Sequence, residues 1–211
     1  MTLCGMSNVQ PDLGFIHRFV AGPNAPPLLL LHGSGGDEHD LVPLAERIAP
    51  GHALVSPRGK INENGVTRFF RRAPDGAWDL DDLKLRTAEL GDFVRSARGA
   101  YRLPKPIVLG YSNGANIAWS LLLKEPGALA GAILLRAMLP FDPRPLPDLS
   151  GIPVLLIAAH DDEFIPVERA GLLAALLGEA GADVTYEVLR TGHGLTGEDL
   201  KLASEWLARR R

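Results

Sequence analysis

Gly110-Tyr111-Ser112-Asn113-Gly114 follows the apolar run Ile107-Val108-Leu109 and sets a serine between two glycines at the end of what reads as a buried strand. A serine held on a sharp turn between a strand and a helix has its hydroxyl pushed out of the fold, and small flanking residues let the two elements approach closely enough to make that turn. The pattern G-x-S-x-G also arises by chance in loops, so its surroundings decide its meaning. Upstream, Pro106 to Leu109 reads as a short, fully buried strand. Downstream, Ala115, Ile117, Ala118, Leu121 and Leu122 have the spacing of an apolar helix face, and Pro126-Gly127 closes the segment. Strand, turn and helix therefore occur in the order that a nucleophile elbow requires.

A serine used in this way needs a base to take its proton and a carboxylate to orient that base, and beside such an elbow they follow in the chain order serine, acid, histidine. His193, in Thr191-Gly192-His193-Gly194, comes just after the alternating run Val184-Thr185-Tyr186-Glu187-Val188-Leu189, which puts it on a loop at a strand's C-terminal end. Asp161 and Asp162 follow the buried run 154–159 in the same way, and either could reach that histidine. Each residue alone has a plainer reading: a histidine between glycines is often a turn residue, and an Asp-Asp pair ahead of Pro166 suits a solvated helix start. Together, in the right order and each at a strand end, they favour catalysis.

His32-Gly33-Ser34-Gly35-Gly36-Asp37 follows a further apolar run, 28–31, and its small residues allow backbone N–H groups to point into a cleft. An oxyanion hole of this type combines the N–H of the residue after the nucleophile, here Asn113, with one from such an early loop, for which Ser34 is the choice. A phosphate cradle is disfavoured, because neither a Gly-Lys-Ser/Thr ending nor G-x-G-x-x-G is present.

Outward from these motifs, strands are expected at 15–20, 28–31, 53–55, 107–109, 132–135, 154–158 and 184–189, the first as an antiparallel edge, with helices at 41–48, 80–98, 115–124, 167–180 and 197–209. Strands alternating with helices demand crossovers, hence a mostly parallel sheet of about seven strands with helices on both faces and ligands at the strands' C-terminal ends. The fold class is α/β, with the whole of 1–211 as one domain and no separate lid domain. The stretch 56–79 has no clear element and is expected to overhang the site, which it shapes together with 136–150.

At this point the chain resembles the bacterial phospholipase/carboxylesterase family of α/β-hydrolases, which includes the acyl-protein thioesterases, through segments 32–37, 110–115, 162–166 and 192–195. A carboxylesterase subgroup associated with hydroquinone and quinone resistance is similar in Ser56-Pro57-Arg58-Gly59, Arg68-Phe69-Phe70-Arg71-Arg72, Gly110-Tyr111-Ser112-Asn113-Gly114-Ala115-Asn116 and Leu135-Arg136. The resemblance implies Ser112 as nucleophile, His193 as base and Asp162 as orienting acid, since the family's acid stands four residues before the proline matched by Pro166. Glu163 departs from the pattern, in which a proline commonly follows the acid, and keeps Asp161 as the alternative.

Composition agrees with an ordinary globular enzyme: 211 residues, 46% hydrophobic and 22% charged. A formal net charge of -3 and a pI near 6.1 give no electrostatic reason to expect nucleic acid or an anionic membrane as partner. Arg209-Arg210-Arg211 reads as a solvated helix end. The single cysteine, Cys4, excludes an internal disulfide and suits a reducing compartment. No signal-peptide pattern opens the chain and no stretch reaches the roughly 20 apolar residues of a membrane span. The expectation is a cytoplasmic enzyme acting on a small-molecule ester, with a homodimer allowed and no cofactor or metal.

For the substrate, Phe69, Phe70, Trp78, Met138, Leu139 and Phe141 are candidates for an apolar pocket suited to a short acyl group or an aromatic ester. Arg58, Arg68, Arg71, Arg72 and Arg136 are concentrated near the expected site, and one or two of them, Arg136 foremost, are expected to meet a substrate carboxylate or phenolic oxygen. Pairing with Glu63 and Asp75 is the plainer role for most of them. Competing functions are a metal hydrolase using His32, His39 and His160, which lacks H-E-x-x-H or a cysteine pair; a thioesterase or lysophospholipase for long acyl chains; and a ligand-binding module without turnover.

Overall fold

The computed structural model describes residues 11–73, 77–139, 141 and 143–210. The readings placed on Cys4, Asp75, Arg211 and the segment ahead of residue 11 fall outside the described residues. In chain order the elements are β1 (His17–Val20), β2 (Asn24–Leu31), α1 (Val42–Ile48), β3 (His52–Pro57), β4 (Ile61–Glu63), β5 (Val66–Arg68), α2 (Leu80–Tyr101), β6 (Ile107–Tyr111), α3 (Asn113–Lys124), β7 (Gly131–Leu135), β8 (Pro153–Ala159), α4 (Val167–Glu179), β9 (Asp183–Leu189) and α5 (Gly197–Ala208).

The main sheet runs β1-β3-β2-β6-β7-β8-β9, with β1 antiparallel to β3 and every other pair parallel. Its central strands are apolar at consecutive positions because both faces are covered. Leu29, Leu31, Val108 and Leu134 pack with Leu90 and Phe93 of α2, Ile117 and Leu121 of α3 and Leu173 and Leu177 of α4. The alternate residues Leu28, Leu30, Leu109 and Ile133 pack on the opposite face with Ala45 and Ile48 of α1 and Trp206 and Leu207 of α5. The expected architecture is thus the observed one, antiparallel edge included.

The differences are local. Segment 56–79 contains a hairpin, β4 against β5, where no element was expected. It turns through Asn64 and Gly65, both at positive φ (53° and 86°), a pair that favours tight hairpin turns. Helix α2 continues past the expected end at 98 to Tyr101, where Arg102 adopts the left-handed conformation at φ 53°. Its first turn is capped by the Asp79 side chain, which accepts from the Asp82 N–H at 3.0 Å.

Candidate active site

Ser112 stands on the turn between β6 and α3 with φ 51° and ψ -112°, a conformation that an L-residue adopts only under strain. The flanking glycines are a steric necessity. A Cβ on Gly114 would lie 2.0 Å from the Leu31 carbonyl oxygen, and one on Gly110 would lie 2.7 Å from the Ala115 Cα. The Ser112 N–H donates to the Leu135 carbonyl at 2.8 Å, which extends the pairing of β6 with β7 to the serine itself.

The acid and the histidine meet because β8 and β9 stay zipped beyond their ends. The His160 N–H donates to Leu189 O at 2.8 Å and the Asp161 N–H to Thr191 O at 3.0 Å, so the following residues arrive side by side. Asp162 Oδ1 accepts the backbone N–H groups of Phe164 (2.9 Å) and Ile165 (3.0 Å), which fixes the plane of its carboxylate. Asp162 Oδ2 then lies 2.8 Å from His193 Nδ1, and His193 Nε2 lies 3.1 Å from Ser112 Oγ. A carboxylate only accepts, so Nδ1 carries the ring proton and Nε2 is left to receive the serine's. Asp162 has a side chain 1% exposed, whereas Asp161 is 65% exposed and pairs with His160. The geometry therefore joins Asp162, and not Asp161, to His193.

The early loop is held beneath the elbow by His32. Its Nε2 accepts the Gly59 N–H at 2.9 Å, which leaves Nδ1 as the donor to Gly33 O at 2.7 Å. Burial lowers the His32 pKa, outweighing the Gly33 carbonyl and the nearby Asp40, Asp37 and Glu38, all of which pull it up. Both ring nitrogens are thus engaged in a neutral imidazole, and among the described residues no group of three or more His, Cys, Asp or Glu side chains is arranged to hold a metal ion. The Ser34 and Asn113 N–H groups have no carbonyl partner among the described residues, Asn113 because it opens α3, whose first N–H groups lack an intrahelical acceptor.

Two asparagines of the first turn of α3 pin the neighbouring loops. Asn113 Oδ1 accepts the Phe69 N–H at 2.7 Å, and Asn116 Oδ1 accepts the Met138 N–H at 3.0 Å. The result is a cavity of about 340 Å³ lined by Ser34, Arg68, Arg72, Tyr111, Ser112, Asn116, Met138, Phe164, Ile165 and His193. A second cavity, of about 410 Å³, adjoins it through Arg72, Met138 and Phe164 and continues over Trp78, Leu80 and Leu139 to Arg169.

Of the residues expected at the substrate, Met138 lines the cavity but Phe69, Phe70 and Arg136 do not. Phe69 and Phe70 are packed into the core, Phe69 against the His32 ring at 4.6 Å and Phe70 against Trp78 at 4.9 Å. Arg136 is fully enclosed, and its guanidinium grips Asp199 of α5 in two bonds of 2.7 and 3.0 Å while donating to Gly194 O at 3.2 Å. The expectation that it binds a substrate anion is corrected: its charge is already met inside the protein. Arg58 is likewise paired with Glu38. Two residues that sequence reasoning missed border His193. The Tyr111 hydroxyl donates to the His193 carbonyl at 3.2 Å, and the exposed Phe164 ring stands edge-on to the imidazole at 5.1 Å.

The arrangement can draw a proton from the serine hydroxyl onto an oriented imidazole and present N–H donors to a developing oxyanion. Comparison with known proteins shows the family. The family model for phospholipase/carboxylesterase matches residues 20–210. The protein MhqD of Bacillus subtilis (strain 168) is 41% identical over 192 residues, covering 90% of this chain and 96% of that one. The crystal structure of the Bacillus cereus carboxylesterase superposes with a TM-score of 0.91 at 39% identity, covering 95% of this chain and 96% of the other. The carboxylesterase from Mesorhizobium loti gives 0.88 at 38%, covering 93% and 96%. YahD, in its structure with malic acid, gives 0.89 at 36%, covering 93% and 100%.

Proposed function

Since the chain belongs to the phospholipase/carboxylesterase family, we propose that it is a serine carboxylesterase that hydrolyses short-chain or aromatic carboxylic esters through an acyl-enzyme on Ser112. The observation that carries the reading is the unbroken line of contacts from Asp162 through His193 to Ser112 Oγ, ending at a cavity.

In this mechanism His193 Nε2 takes the Ser112 proton as Oγ attacks the ester carbonyl. The N–H groups of Ser34 and Asn113 meet the oxyanion as charge develops, each worth about 3 to 4 kcal/mol in a comparable site. His193 returns the proton to the departing alcohol, then activates the water that hydrolyses the acyl-enzyme, while Asp162 holds the imidazole tautomer throughout. The cytoplasm is the proposed location, on the strength of the lone Cys4; among the described residues no helix is long and apolar enough to cross a membrane.

The test compares p-nitrophenyl acetate, butyrate and octanoate as substrates of the wild type and Ser112→Ala. Preference for the shorter esters, with activity lost in the variant, is the expected result; equal rates for the two proteins would refute the assignment. The adjoining cavity over Trp78, Leu80 and Leu139 is the observation favouring a second reading, a thioesterase or lysophospholipase for longer acyl chains, and faster turnover of octanoate would select it.

A further inference from the structure

Phe164 is the most exposed of the large apolar side chains among the described residues, at 68%, yet its place is fixed. Its N–H donates to Asp162 Oδ1 at 2.9 Å, and the next residue, Ile165, donates to the same oxygen and is buried. The carboxylate that meets His193 thus also sets the backbone that carries the ring. That ring stands edge-on to the imidazole, with centroids 5.1 Å and planes 81° apart, and lines the cavity that holds Ser112 and His193. It also lines the adjoining cavity of about 410 Å³, where Trp78, Leu80, Met138, Leu139 and Pro166 add further apolar surface. A fixed aromatic ring left open to water between two cavities suits an apolar ligand, and above all a second ring.

The path of the proton decides which half of an ester reaches it. In the proposed reaction the acyl carbon is bonded to Ser112 Oγ, and the carbonyl oxygen faces the Ser34 and Asn113 N–H groups. The leaving oxygen has to come within hydrogen-bond reach of His193 Nε2, which protonates it. The first carbons of the departing alcohol therefore lie on the histidine side, beside the ring that stands against the imidazole. We infer that Phe164 determines specificity: it leads the alcohol half of the ester into the adjoining cavity, so that esters joining an aromatic alcohol to a small acyl group are preferred. The inference rests on the serine-esterase reading and names the substrate class for that same site.

Two isomers test it, benzyl acetate and methyl phenylacetate, which carry the same ring on opposite sides of the ester bond. In a pH-stat, kcat/KM for each is divided by its rate of hydrolysis by hydroxide. The wild type is expected to favour benzyl acetate about tenfold, and Phe164→Ala to bring the two within about twofold. Phe164→Leu keeps apolar bulk without the ring and is expected to fall between them. A wild-type ratio of one or below, or one that Phe164→Ala leaves unchanged, overturns the inference. NMR titration of benzyl alcohol into Ser112→Ala reads the subsite without turnover, and saturable binding weakened about tenfold by adding Phe164→Ala supports it. Should hydrolysis of both isomers require Ser112 while the ratio is one or below, the subsite fails and the esterase stands. Benzyl alcohol binding that depends on Phe164, without Ser112-dependent hydrolysis of any ester, would instead sink the esterase and leave the subsite.

Discussion

At the scale of the residue, the Ser112 hydroxyl is held by a backbone that would relax if it could. Ser112 at φ 51° and ψ -112° occupies a region that costs a residue with a Cβ about 1 to 3 kcal/mol and costs glycine little. Ser112→Gly and Ser112→Ala both remove Oγ, yet only the first removes the Cβ. After allowing for the greater freedom of glycine in the unfolded chain, Ser112→Gly should be more stable than Ser112→Ala by about 1 kcal/mol in denaturant titrations, with both inactive. A glycine variant no more stable than the alanine one would mean that the turn stores no strain. This turn was legible in sequence because its causes are local: the small residues at 110 and 114 answer contacts made within the same strand, turn and helix or with the adjoining strand. The Tyr111 bond to the His193 carbonyl was not, since its partner lies on a different strand's loop and a tyrosine between glycine and serine carries no mark of it.

At the scale of the element, α5 holds the histidine loop in place. Asp199 accepts the Thr196 N–H and hydroxyl at 2.7 and 2.9 Å, capping the helix, and at the same time neutralises Arg136, whose other donor reaches Gly194 next to His193. Asp199→Asn leaves an arginine without its counter-charge at a position with no exposure, a change that costs about 3 to 5 kcal/mol. It should lower the unfolding midpoint and reduce kcat more than it raises KM, because Gly194 loses its tether while the cavity wall is untouched. Arg136→Met/Asp199→Leu should recover part of the stability, and a single variant as stable as the wild type would show that the pair is inert. The sequence holds half of this device. Thr196-Gly197-Glu198-Asp199 is a recognisable helix-start pattern, but nothing near Arg136 announces a partner on a distant helix, so its charge reads as available for substrate. The β4-β5 hairpin was missed for a different reason. Its strands are too short to show periodicity, and Asn64-Gly65 was the one signal that could have revealed it.

At the scale of the whole molecule, the main sheet separates the firmly held Ser112 and His193 from a less firmly supported hairpin. Strands β2, β6, β7 and β8 are each paired on both sides and packed on both faces, and the residues of the elbow, the acid and the early loop extend directly from their ends. The hairpin that carries Arg68 is a two-stranded sheet of its own, with Val66–Arg68 only half-buried, and a pair of strands is marginally stable without further support. Its anchors lie at one end: the Phe69 N–H is bonded to Asn113 Oδ1, Phe69 and Phe70 are sunk in the core, and Thr67 O accepts the Gly35 N–H at 2.8 Å. Native-state hydrogen exchange should therefore rank the amides of β6 and β7 as the slowest and those of β4 and of 64–66 among the fastest, with protection rising abruptly at Phe69. Uniform protection from β4 through Phe69 would contradict this, because it would require the hairpin to open only together with the main sheet. If the gradient is observed, Ser112 and His193 stay fixed while the β4-β5 hairpin opens independently of the main sheet.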